Sequence, residues 1–291
     1  MPGTEDRNPD TLDLDRLDAL GVCARLHRED QRAVAAVGAV LPDVARAAAA
    51  VADTFACGGR LFYVGAGTSG RLGVLDASEL PPTFGLDPEQ ARGIIAGGPA
   101  ALLRAAEGAE DDAAQGAADM RLAGVSPGDA CVAIAASGRT PYVLGAAGEA
   151  RRAGAATVGV LCNPGAPLAA AVDIAVVADT GPEAVLGSTR LKAGTATKLV
   201  LNMISTTAMI LTGRVYTNLM VDMRASNEKL RARAANMVAL AVGCAPDRAS
   251  ELLAMAGGEV KTAIVMGLAG TGAPEARERL AAGAGRVRAA L

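Results

Sequence analysis

The chain has 291 residues, of which 51% are hydrophobic but only 2% aromatic. That length and apolar content exclude global disorder and accommodate two folding units, or one α/β domain with an appendage, packed mainly by Ala, Val and Leu. A formal net charge of −3 argues against the basic face that a nucleic-acid partner requires.

Residues 1–15 read as a polar, acidic arm unlike a signal peptide. From Asp30 to Ala56 an Ala/Val-rich helical pattern runs, interrupted at Pro42. Its apolar face is a plausible surface for a second subunit, or one buried within the chain itself. Charges and breaks such as Pro42, Asp43 and Arg46 remove it from the candidates for a membrane span, and no membrane partner is expected. Five short apolar runs then alternate with helical stretches: "RLFYVG" (60–65), "RGIIAGG" (92–98), "ACVAIAAS" (130–137), "ATVGVLCN" (156–163) and "DIAVVAD" (173–179). Apolar runs separated by helices predict an α/β fold, a parallel sheet of about five strands with helices on both faces. A long helix is expected from Ser188 to Leu211, with Ser188 or Thr189 as its N-cap. Beyond about residue 215 no strand is expected, only short helices with glycine stops: "SNEKLRARAANMVALAVG", "APDRASELLAMAGG", "EVKTAIVMGLAG" and "APEARERLAAGAG". These predict a small C-terminal helical bundle. The expected divisions are an arm and helices over 1–50, the α/β domain over 51–214 and the helical region over 215–291.

The five cysteines, Cys23, Cys57, Cys131, Cys162 and Cys244, are scattered without a C-x-x-C pair, the pattern of reduced thiols in a cytoplasmic protein. His27 is the only histidine, and no Cys or carboxylate cluster has zinc-ligand spacing, so no metal is expected. A buried or helix-capping role is the simpler account of His27.

"LFYVGAGTSGRLG" (61–73) places Gly65, Gly67 and Gly70 at G-x-G-x-x-G spacing, which any strand-to-helix turn close to an anion can show. A dinucleotide site needs an acidic residue closing the second strand, and "IIAGG" supplies none; no nucleotide or other cofactor is expected. The turn instead carries two adjacent hydroxyls, Thr68 and Ser69. A comparable turn, "AASGRTP", offers Ser137, Gly138, Arg139 and Thr140 ahead of another helix. Two hydroxyl-bearing turns at neighbouring strand ends can surround one terminal phosphate, which points to a phosphosugar. The competing reading, that Ser137 and Thr140 only cap a helix, is compatible with it.

Among the carboxylates, Glu79 is expected in the last turn of the helix after the first glycine turn, since Pro81 and Pro82 should end that helix. There the macrodipole and any desolvation would raise its pKa, as suits a general acid. Glu110, after Gly108 and near the start of a new helix, has the setting of a base, although Glu107, Asp111 and Asp112 oppose it. The competing reading is that both are solvated surface groups. Glu183 in "GPEAVLGSTR" is a third candidate.

The stretches "YVGAGTSGRLGVLDASELPPTFG", "IAGGPAALLRAAEGAEDD", "AASGRTPYV", "GSTRLKAGTATKLVLNM" and "NLMVDMRASNEKL" closely resemble the bacterial N-acetylmuramic acid 6-phosphate etherases, from about Thr4 to the C-terminus. The departures are Leu80 where Cys is common, Leu191 for Met and His27 for Asn. The resemblance implies a sugar-isomerase (SIS) domain of flavodoxin-like topology, and cleavage of the D-lactyl ether of N-acetylmuramate 6-phosphate without a cofactor. It places the two catalytic glutamates on Glu79 and Glu110. Substrate contacts would come from Gly67, Thr68, Ser69, Ser137, Gly138, Thr140 and Ser188, with Arg139 or Arg190 as countercharge. A homodimer is implied too. The rival readings are an aldose–ketose isomerase on the same fold and a non-catalytic sugar-phosphate sensor.

Overall fold

The computed structural model describes residues 3–223 and 228–291. The chain forms two compact units. One runs up to Ser78 and resumes over Glu89–Ser205, and the other joins Glu79–Pro88 to Thr206–Leu291.

In the first unit, α1 (Ala19–Ala39) opens well before Asp30, on the side chain of Asp18, which accepts the Gly21 N–H at 2.8 Å. The break before α2 (Leu41–Ala56) falls at Val40. Pro42 does not interrupt a helix; it lies in the first turn of α2, where a missing N–H is harmless. His27 is neither buried nor a cap but exposed on α1, one turn from Gln31.

Strands β1 (Leu61–Gly65), β2 (Ala91–Ile95), β3 (Ala130–Ile134), β4 (Ala156–Leu161) and β5 (Ile174–Val177) form one parallel sheet in the order β2-β1-β3-β4-β5. Leu61 stands between Ala91 and Ala130, and Gly65 between Ile95 and Ile134. At the entrance to the central pair, Asp129 accepts five hydrogen bonds, from the Arg60 backbone and guanidinium and from the Ser126 backbone and hydroxyl. It therefore ties the starts of β1 and β3 together. The apolar stripe of α2, including Val44, Ala48, Val51 and Phe55, is buried, and α2 packs along β1, β3 and β5. That stripe is covered within the chain.

The connections are α3 (Gly67–Phe84), α4 (Ala113–Leu122), α5 (Pro141–Arg152), α6 (Pro167–Ala171) and, after β5, α7 (Lys192–Leu211). Alternation along the strands sends Phe62, Val64, Cys131 and Ala133 to one face, where they share a core with Tyr142, Ala146 and Leu168 of α5 and α6. Tyr63 points to the other face. Its hydroxyl donates to Asp76 of α3 at 2.6 Å, and Ser205 of α7 donates to the same carboxylate at 3.2 Å. Burial pushes the Asp76 carboxyl above the usual aspartate range.

Two helix ends differ from expectation. α3 does not stop at Pro81; it continues through both prolines to Phe84. The prolines forfeit their bonds to the carbonyls four residues back, but their fixed φ suits a helix, and buried Leu80 and Phe84 hold the segment. Gly85 N–H closes onto the Pro81 carbonyl at 3.0 Å, and Arg214 Nη1 caps the Phe84 carbonyl at 2.8 Å. Glu79 is thus not in the last turn. α7 begins at Lys192, not at Ser188, because its cap is Glu183: the carboxylate accepts the N–H groups of Lys192 (3.2 Å) and Ala193 (2.9 Å).

The second unit contains a hairpin that sequence patterning passes over, β6 (Val215–Tyr216) antiparallel to β7 (Leu219–Met220). Helices α8 (Glu228–Val242), α9 (Pro246–Met255), α10 (Val260–Ala269), α11 (Ala273–Ala282) and α12 (Val287–Ala290) follow. Ala234, Val238, Leu252, Ile264, Ala276 and Val287 form their core. Ser226 and Asn227, in the expected first helix, lie outside the described residues, as do the first two residues of the arm. Among the described residues no single helix is long and apolar enough to cross a membrane.

Candidate active site

The strand order 2-1-3-4-5 reverses direction between β1 and β3. Open parallel sheets bind ligands at this point, beyond the carboxyl ends of the strands. A cavity of about 450 Å³ lies there in the first unit. Its walls are the two turns expected from sequence: Gly67, Thr68 and Ser69 after β1, and Ser137, Arg139 and Thr140 after β3.

Local packing dictates the shape of both turns. After β1, a Cβ on Gly65 would lie 2.7 Å from the Gly70 nitrogen, and one on Gly70 would lie 2.7 Å from the Gly65 oxygen. Only paired glycines let the strand end and the start of α3 approach so closely, so their spacing reflects packing as well as anion binding. After β3, Gly138 adopts φ +64°, and its Cβ position is closed off by Ala166 and Leu161. Gly138 therefore shapes the turn without lining the cavity. Arg139 N–H donates to Ser137 Oγ at 3.2 Å. Thr140 stands at the N-cap of α5 but makes no side-chain capping bond, which leaves its hydroxyl available. Pro141 opens α5, whose first N–H groups have no intrahelical partner.

Glu110 sits in a single 3-10 turn, Ala109–Asp111, two residues ahead of the Asp112 cap of α4. It is exposed, and it lines both the main cavity and a smaller one of about 210 Å³ that also includes Arg71. From the loop before α7, Gly187 and Thr189 reach the main cavity. Ser188 and Arg190, the residues singled out by sequence, alternate with these and are not on its wall. Glu79 belongs to the second unit and is exposed. Glu183 is fully buried, and burial pushes its carboxyl up despite the two backbone bonds it accepts. It is a helix cap. Among the described residues no group of three or more His, Cys, Asp or Glu side chains is arranged to hold a metal ion.

The family comparisons agree with this architecture. Residues 43–150 match the glucokinase regulatory protein N-terminal SIS domain, and residues 110–212 match the SIS domain. An N-acetylmuramic acid 6-phosphate etherase of Cronobacter sakazakii is 55% identical over 288 residues, covering 99% of this chain and 97% of its own. The etherase of Symbiobacterium thermophilum is 56% identical over 267 residues, covering 92% and 89%. The chain belongs to the N-acetylmuramic acid 6-phosphate etherase family. In this etherase family member the cavity wall also includes residues that sequence reading did not select, among them Gly187, Thr189 and, from the N-terminal arm, Glu5. Thr189 was obscured by the misplaced start of α7. For Glu5 the only signal was its position inside the span of family resemblance, which begins at about Thr4.

Proposed function

We propose that this chain is a carbon–oxygen lyase that cleaves the D-lactyl ether of N-acetylmuramate 6-phosphate, giving N-acetylglucosamine 6-phosphate and D-lactate. The observation that carries the proposal is the cavity at the β1/β3 switch point, walled by two hydroxyl-bearing turns, in a chain of this family. Ser69, Ser137 and Thr140 hold the 6-phosphate, together with backbone N–H groups at the starts of α3 and α5, and Arg139 supplies the countercharge.

With the phosphate anchored, the open-chain sugar presents a C2 proton acidified by the C1 aldehyde. Glu110, on the cavity wall, removes it as general base. Lactate then departs from C3 as an alkoxide and takes a proton from Glu79, a role resting on the matched family string and not on position. Water adds to C3 of the unsaturated aldehyde, Glu79 now taking the water proton as base while the protonated Glu110 returns a proton to C2, which restores both carboxyls. The same reading makes the protein a cytoplasmic homodimer, which sedimentation at working concentration checks.

The deciding experiment is incubation with N-acetylmuramate 6-phosphate and an assay for D-lactate. Stoichiometric lactate and N-acetylglucosamine 6-phosphate support the reading. Interconversion of aldose and ketose phosphates without lactate would replace it with an isomerase, and binding without turnover with a sensor.

A further inference from the structure

Within the N-terminal arm, Thr4 is fully buried. Its N–H donates to Asn163 Oδ1 at 2.9 Å, while Asn163 Nδ2 donates to Thr4 Oγ1 at 2.8 Å and to the Ala136 carbonyl at 3.3 Å. Asn163 lies just past β4, and Ala136 immediately precedes Ser137. The arm is therefore fixed to the backbone that carries the second hydroxyl turn. A second clamp follows: Asn8 Nδ2 donates to the Pro182 carbonyl at 3.1 Å and to Glu29 at 2.8 Å, and Thr11 Oγ1 donates to the Ala184 carbonyl at 2.9 Å. Glu29 in turn pairs with Lys192, both side chains being buried. These contacts bind the arm to the loop that brings Gly187 and Thr189 to the cavity. Terminal segments without such ties are poorly ordered; this one is built in.

Between the two clamps, Glu5 lines the cavity, and its Oε2 is 3.5 Å from the Cβ position of Gly187. Its acidic neighbours on the arm are engaged, Asp6 by the Gly3 N–H and Asp10 by Arg32. The Glu5 carboxylate has no such partner among the described residues. An ionised carboxylate only accepts hydrogen bonds, and beside a phosphate it is repulsive unless the ligand also brings donors.

We infer that Glu5 is a substrate-contacting residue that accepts hydrogen bonds from hydroxyl or amide N–H donors on the sugar portion of the ligand, selecting sugar phosphates over simple anions. The inference rests on the cavity being the phosphosugar site proposed above.

The test is equilibrium binding of N-acetylglucosamine 6-phosphate and of inorganic phosphate to the full chain, as wild type, Glu5→Ala and Glu5→Gln, with melting curves for each. The loss of hydrogen bonds to a charged acceptor should weaken sugar-phosphate binding by roughly 10- to 100-fold in Glu5→Ala. Inorganic phosphate should bind that variant as well as wild type, or more tightly, and Glu5→Gln should recover part of the loss through its amide oxygen. Unchanged sugar-phosphate binding in both variants overturns the inference and leaves the cavity reading intact. Equal losses for both ligands overturn it in favour of a structural role for the arm. Failure of N-acetylglucosamine 6-phosphate to bind wild type overturns the cavity reading together with this one. Should Glu5→Ala not fold, Glu5→Gln against wild type gives the same comparison.

Discussion

Glu183 caps a helix that begins nine residues further along the chain, its carboxylate accepting the backbone N–H groups of Lys192 and Ala193 from a fully buried position. An acid that looked catalytic in sequence thus has a structural task. Glu183→Ala should remove the cap and leave two buried donors unpaired, costing about 2–3 kcal/mol. Glu183→Gln keeps one acceptor and has no charge to desolvate, so its loss should be smaller. Urea denaturation of the two variants checks the order; a loss well under about 1 kcal/mol in Glu183→Ala would show that the bonds contribute little.

Ser137 tests the phosphate anchor. Ser137→Ala deletes a hydroxyl proposed to donate to a dianion, an interaction of about 1.5–3 kcal/mol. KM for N-acetylmuramate 6-phosphate should rise on the order of 10- to 100-fold, and the unphosphorylated sugar should be a very poor substrate for wild type. Equal turnover of both sugars would remove the phosphate from the recognition scheme.

Separate residues for proton removal and proton delivery can be uncoupled. With Glu110 as base and Glu79 as acid, Glu79→Gln should still exchange the C2 proton with deuterated solvent while releasing almost no lactate. Glu110→Gln should lose exchange and lactate together, each by on the order of 10²–10⁴ in rate. The opposite pattern reverses the assignment.

Asp129 gives a prediction with a definite pH dependence. Burial pushes its carboxyl up, but the hydrogen bonds from Arg60 and Ser126 carry it below its ordinary 3.8. A carboxylate with a lowered folded pKa contributes stability that is fully present above its unfolded value and is lost as pH falls through the folded one. Asp129→Asn should therefore be less stable than wild type by about 2–3 kcal/mol at pH 7. The gap should narrow progressively as pH falls from about 5 through the unfolded value of 3.8 and the lowered folded one. A gap constant down to the acid transition would contradict the role assigned to the charge.

Much of the fold was legible because strands in the middle of a doubly covered sheet are apolar throughout, as β1 and β3 are. The edge strands β2 and β5 keep enough of that character to be read with them. The two hydroxyl-bearing turns that wall the cavity were legible for a related reason, since hydroxyls and glycines at neighbouring strand ends are visible without tertiary information. What sequence hid was set by contacts distant along the chain. Pro81 and Pro82 looked terminal because local propensity ends helices there, yet burial of Leu80 and Phe84 and the Arg214 cap carry α3 onward. Ser188 looked like an N-cap because no local pattern reveals that Glu183 performs that task. The hairpin at Val215–Met220 was missed because its strands have two residues each, too few to show a period. Glu5 was read as part of a polar arm because only Asn163, far along the chain, reveals where the arm is fastened.

The Thr4–Asn163 clamp joins residues 159 positions apart, and this sets an order of events in time. Closing so long a loop is unrewarded until the sheet exists to hold Asn163 in place. The arm is then expected to be among the last segments to dock, bringing Glu5 to the cavity after the sheet has formed. Pulse-labelling hydrogen exchange would register this as late protection of the Thr4 amide, after those of β1 and β3. A nascent chain paused before Asn163 would already carry its N-terminal arm but have nowhere to fasten it.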